Sequence, residues 1–169
     1  MNKIICSLNF MYSMERFATA IYRVQRGSFK EAKINEKMNY AVDNEWHHAS
    51  NLKNRIIELN NTPSSFSFLF KIVGTLLGFL NRCSGKMFAL KIDVVIEKRA
   101  VKDYSYFLRS LKLDDKTRLL IKGIIADEEQ HINNWEESIE IIKGKTPGKL
   151  FTEKLPAEKG RSTGRAKNT

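Results

Sequence analysis

Residues 45–48 read Glu-Trp-His-His and residues 128–131 read Glu-Glu-Gln-His, so twice in the chain an acid is followed three places on by a histidine. On an α-helix, positions i and i+3 lie on one face about one turn apart, and each pair can reach a common point. A single pair of this kind is ordinarily a solvated acid beside a solvated base. Two are harder to read that way, because the chain has 3 histidines and two of them occupy these positions. His47, the third, is turned by about 100° from His48 around the helix axis and is expected on the surface.

Each pair is preceded, about thirty residues earlier, by a second repeated pattern. Glu15 is followed by Ala18 and Tyr22, and Glu97 by Ala100 and Tyr104, at the same spacings. One helix thus brings a single glutamate and the next brings an acid with its histidine, twice over. The resulting set is Glu15, Glu45, His48, Glu97, Glu128 and His131: four carboxylates and two imidazoles, the complement of a di-iron or di-manganese carboxylate bundle. Hard oxygen donors mixed with imidazole suit iron, with manganese as the alternative, and the lack of a thiolate set argues against a structural zinc. Buried together without cations, four carboxylates would repel one another and each would be costly to desolvate. Asp127, next to Glu128, either orients a histidine from behind or is an exposed helix acid. Trp46 and Trp135, beside the two motifs, are assigned to core packing.

The rest of the chain suits an all-α bundle. Proline stands only at 63, 147 and 156, so long stretches are free to be helical. The spacing predicts a first helix from about Tyr12 to Gln25, ending at Gly27-Ser28. A second is expected from Ser28 or Lys30 to Leu59, a fourth from Lys86 to Leu111, and a fifth from Asp114 or Asp115 to Ile142, capped by one of those aspartates. The third segment, Phe66 to Leu80, is apolar almost all round, with Gly74 and Gly78 four apart, and is too short to cross a bilayer. It is expected to cross the end of the bundle and pack through its glycines, and it also suits the membrane interface.

At 169 residues and 42% hydrophobic content, one domain with its own core is the expectation. Residues 1–145 are assigned to the bundle. Much of the +10 net charge lies beyond, where Lys149, Lys154, Lys159, Arg161, Arg165 and Lys167 stand among Pro, Gly, Ser and Thr. Residues 146–169 therefore read as a basic, disordered and solvated tail, and no specific nucleic-acid partner is expected. Cys6 and Cys83 form no framework, which suits a reducing compartment, and the first residues lack the cleavage site of a signal peptide. The cytoplasm, or the inner face of a membrane, is the expected location.

With these residues in hand, the chain resembles the ferritin-like superfamily and, within it, the demethoxyubiquinone hydroxylase family of di-iron monooxygenases, over roughly Glu15 to Ile142. Glu15, Ala18, Ile21, Tyr22 and Gln25 look like that family's E-x-x-A-x-x-I-Y-x-x-Q. Pro63-Ser64, Gly74, Gly78 and Gly85 follow its spacing up to Glu97. The resemblance implies two iron ions on the six residues named above. The chain departs from the family's pattern at Phe17, Asp103 and Phe107, and at Met11-Tyr12-Ser13-Met14, so the ligand set carries over while the substrate pocket does not follow.

The resemblance implies an oxygen-dependent hydroxylase acting on a quinone-like apolar substrate. That substrate would approach past Phe66, Phe68, Phe70, Leu76 and Leu77, residues that equally suit a core. The same ligands would also serve a rubrerythrin-like or ferritin-like protein that oxidises Fe(II) or reduces peroxide. The partners to test are O2 or peroxide, a quinone-like molecule, a membrane met through residues 66–80, and a second copy in a homodimer.

Overall fold

The computed structural model describes residues 3–144, so the basic tail lies outside the described residues. Among the described residues there are five helices and no strand: α1 Lys3–Gln25, α2 Ala32–Glu58, α3 Ser67–Cys83, α4 Lys86–Ser110 and α5 Asp115–Ile142. Four long helices form an all-α, ferritin-like bundle. The closest pairings are α1 with α2, α4 with α5, and α1 with α3.

Most expected boundaries fall within a turn of the observed ones, and the largest departure is at the start. Helix α1 begins at Lys3, more than two turns before Tyr12, because Ile5, Leu8 and Met11 follow one another at i+3 and are all buried. Helix α5 is capped by Asp114, whose Oδ1 accepts from the backbone N–H of Thr117 at 3.0 Å. Arg55 of α2 donates to both Asp114 and Thr117, tying the start of α5 to the end of α2. Helix α1 ends at Gly27, whose φ of 74° favours glycine.

The core has two parts with the ligand-like residues between them. Along α1 the order is Leu8 and Met11, then Glu15, then Ala18 and Ile21; along α4 it is Leu90 and Val94, then Glu97, then Ala100 and Tyr104. Helices α2 and α5 show the same order, with Met38 or Trp135 on one side and Leu52 or Ile124 on the other. The polar centre is thus sealed by apolar side chains along the bundle axis in both directions. Trp135 lies in this core, as expected, but Trp46 is 51% exposed. It immediately follows the buried Glu45, so the helix turns it away from the interior. His47 is exposed, as expected.

Helix α3 does pack through its glycines, but it runs along the side of α1 instead of across the bundle end. A Cβ at Gly74 would stand 2.4 Å from the Phe17 carbonyl oxygen, and one at Gly78 would stand 2.9 Å from Val24 Cβ. No larger residue fits that approach. Phe66, Phe68 and Leu76 are exposed, whereas Leu77 packs against the core, so most of the apolar entrance residues are not core. No helix among the described residues is long and apolar enough to cross a membrane.

Candidate metal centre

The six residues singled out in the sequence converge at mid-bundle, and all are buried. They form two overlapping groups, Glu15, Glu45, His48 and Glu128 on one side and Glu45, Glu97, Glu128 and His131 on the other. Within each group, one donor atom from every residue lies within 4.8 Å of the rest. Glu45 and Glu128 belong to both groups. Each group takes three residues from one helical hairpin and its fourth from the other.

The imidazoles present Nδ1 to the carboxylates. His48 Nδ1 lies 3.4 Å from Glu128 and 3.8 Å from Glu15. His131 Nδ1 lies 3.2 Å from Glu128 and 3.5 Å from Glu97. It also stands 3.0 Å from Glu45 Oε1, yet without the alignment of a hydrogen bond, since neither Glu45 oxygen has a hydrogen-bond partner. Buried oxygens of Glu15 and Glu128 are also left without partners. So many unpaired acceptors around one point are costly unless a cation completes them. Donors of this type, number and mutual distance fit a pair of small divalent ions.

Electrostatics describe the same demand. Burial and the neighbouring Glu128, Glu15 and Glu97 push the Glu45 carboxyl well above its ordinary range. Glu97 is raised to about 7, chiefly by burial and then by Glu128. Burial opposes a charge on His48, but Glu128, Glu15 and Glu45 outweigh it and raise His48 to about 12. His131 is likewise raised against the effect of burial, by Glu128, Glu45 and Glu97. For Glu128 the hydrogen bond from His131 and the nearby imidazole of His48 overcome burial and lower it to about 2. The surrounding carboxylates thus favour the charged form of both imidazoles.

A surrounding layer of polar residues orients the set. His48 Nε2 donates to Asp127 Oδ2 at 2.9 Å, so the orienting role weighed for Asp127 is the one observed. Tyr22 of α1 donates a short hydrogen bond to Glu97 of α4. Tyr104 of α4 faces Glu15 of α1 in the mirrored position, and its hydroxyl lacks a full hydrogen bond. The repeat had placed both tyrosines on ligand-bearing faces without assigning them this crossing. Gln25 closes the motif of the first helix, while its partner Asp93 carries no motif in the sequence. Gln25 Nε2 donates to Asp93 Oδ1 at 3.0 Å, with both residues fully buried. Asp93 stands one turn before Glu97, and an acid at i−4 on a ligand-bearing face was the available signal. Of the departures noted in the sequence, Phe107 packs edge-on against Phe10 and Asp103 pairs with Arg99.

An all-α bundle whose centre gathers four glutamates and two histidines in two overlapping quartets defines a ferritin-like protein of the di-metal carboxylate class. The chain belongs to the family described as ubiquinone biosynthesis protein COQ7, which matches residues 12–142. It is also 30% identical over 115 residues to a 3-demethoxyubiquinol 3-hydroxylase of Bordetella petrii, an alignment covering 68% of this chain and 51% of that protein. The chain thus spans about half the length of the curated relative it matches.

Proposed function

We propose that Glu15, Glu45, His48, Glu97, Glu128 and His131 hold two iron ions and that the chain is an oxygen-dependent hydroxylase of a quinone-like apolar substrate. The reading rests on one observation above all: Glu45 and Glu128 are common to both donor groups, which is the arrangement two ions bridged by carboxylates require. Bound iron would supply O2 activation with two electrons from a donor, one oxygen atom entering the substrate and the other leaving as water. The protein's own part is to hold the donors and keep water out. Leu90, Val94 and Trp135 close the centre on one side, and Leu52, Ile121 and Ile124 on the other. Asp127 fixes the ring of His48, and Tyr22 fixes the carboxylate of Glu97. The name of the Bordetella relative supports a demethoxyubiquinol-like substrate.

Such a substrate is water-insoluble, and helix α3 offers a way to meet it. Phe68, Ile72, Leu76, Phe79 and Leu80 are exposed along one side of α3, the amphipathic pattern of a helix lying in a membrane interface. Peripheral contact at the inner face of a membrane follows. The test is iron per chain, together with O2 consumption by the reduced protein with and without a short-chain quinone precursor. Two irons and a hydroxylated product are expected. Two irons with peroxide turnover indifferent to quinone would replace the hydroxylase with the rubrerythrin-like activity, and no metal would sink both.

A further inference from the structure

A groove of about 210 Å³ opens between α1, α2 and α3, and none of the six central Glu and His residues lines it. Arg16 and Arg23 reach it from α1, Lys71 from α3 and Trp46 from α2, while Ala20 and Ala49 leave it room. No carboxylate lines it. Arg16 is held in place by a 2.7 Å hydrogen bond to Ser67 and by the Tyr12 ring beneath its guanidinium. Arg23 and Lys71 are exposed, and among the described residues neither is paired with an acid.

Charge on the α1 and α3 walls of the groove is one-signed, and the exposed Asp43 of α2, one turn before Trp46, stands outside the lining. Between Glu58 and Asp93 the sequence has no acid at all, and the one acid of α1, Glu15, is buried in the metal centre. On α3, Lys71, Thr75 and Arg82 follow one another at i, i+4 and i+11, along the border between the face packed on α1 and the exposed apolar face. Acyl chains and phosphate groups meet a peripheral helix in this order, apolar side first and cations at the edge. Trp46, apolar in body with one N–H, belongs at the same level.

We propose that this groove binds the phosphate of an anionic phospholipid, with Arg16, Arg23 and Lys71 on the headgroup and the acyl chains along the exposed side of α3. The site rests on the membrane contact proposed for α3 and gives that contact a lipid preference. A free phosphate would satisfy the cations equally well, but it would leave the adjoining apolar face uncovered. That continuity selects the lipid.

The test is flotation of the iron-loaded full chain with vesicles of phosphatidylcholine alone or mixed with phosphatidylglycerol, following tryptophan emission, to which Trp46 contributes the exposed fluorophore and Trp135 the buried one. Phosphatidylglycerol is expected to strengthen binding and shift Trp46 emission to the blue. Arg23→Gln and Lys71→Gln should each weaken binding to the mixed vesicles by about fivefold, with iron content and melting temperature unchanged. Leu76→Glu should abolish binding to both vesicle types. Equal binding to both vesicles, or full binding by the two glutamine variants, would overturn the headgroup site and leave the membrane contact standing. No binding to any vesicle would overturn both, and a Trp46 response to inorganic phosphate alone would then identify the groove as a free-anion site.

Discussion

His48 hands its outer nitrogen to Asp127 at 2.9 Å, whereas the outer nitrogen of His131 is buried without a partner. The two imidazoles face the same carboxylates but are not equally held. A carboxylate behind a ligating histidine fixes its tautomer and raises its basicity, and losing it typically costs 10–100-fold in metal affinity. Asp127→Ala should therefore loosen the ion beside His48 by about that factor and leave the ion beside His131 nearly as before. Chelator competition would then resolve two steps where the parent protein shows closer affinities. Equal weakening of both ions would contradict the asymmetry.

Shared and unshared glutamates should behave differently. Glu45→Ala or Glu128→Ala removes a donor from both groups, and Glu15→Ala from one. Metal analysis after loading should give no tightly held iron in the first two variants and one ion per chain in the third. Identical stoichiometry in all three would mean that the carboxylates do not bridge.

Metal must displace protons. Burial notwithstanding, the surrounding glutamates raise His48 to about 12 and hold His131 high as well. Both imidazoles are therefore protonated in the metal-free protein at neutral pH, and each ion that binds expels one such proton. The raised carboxyls of Glu45 and Glu97 release further protons, so apparent affinity should rise by at least about tenfold per pH unit for each ion between pH 6 and 8. Calorimetry in buffers of different ionisation enthalpy measures the released protons directly, and a flat pH dependence would refute the protonated resting state.

Asp93 makes a separate pH signature. Burial, more than anything else, raises its carboxyl well above the ordinary range; the Gln25 hydrogen bond opposes the rise and Glu97 adds to it. An acid whose folded pKa exceeds its unfolded one contributes most to stability below the unfolded value, and loses that contribution as pH climbs towards the folded value. Asp93→Asn keeps the bond from Gln25, supplies a donor for the unpaired Gln25 Oε1, and cannot ionise. Its melting temperature should exceed the parent's by a margin that grows from pH 4 to pH 7. Parallel curves would show that Asp93 carries no such cost.

Two glycines in helices should respond in opposite directions to alanine. Gly74→Ala forces a methyl against the Phe17 carbonyl and should cost about 1–3 kcal/mol. Gly123→Ala on α5 meets nothing within 4 Å and should gain about 1 kcal/mol from helix propensity. Urea unfolding separates the two.

The six central residues were legible because donor chemistry leaves few alternatives: histidines are scarce here, and their spacing to the acids is helical. Helix ends were legible where proline, glycine or a capping aspartate marks them, as at Gly27 and Asp114. The start of α1 was not, since Ile5, Leu8 and Met11 carry helical periodicity but no cap in front of them. The side-by-side lie of α3 on α1 was hidden for another reason. Gly74 and Gly78 announce a close approach, but a glycine does not name what approaches it. Trp46 was misplaced by its size, although its position directly after Glu45 already turned it outwards. The Tyr22–Glu97 and Gln25–Asp93 contacts join residues far apart in the chain, and a repeat gives equivalence between halves without saying how they cross.

The exchange of Glu45 and Glu128 between the two groups makes the centre a test of assembly. The hairpin of α1 and α2 can offer an ion Glu15, Glu45 and His48, and the hairpin of α4 and α5 can offer Glu97, Glu128 and His131. Neither has a full quartet until it borrows a glutamate from the other. On the proposed ligand set, a metal ion taken up early in folding would be held by three protein donors and easily lost, so full occupancy would report that both halves of the chain have docked in register.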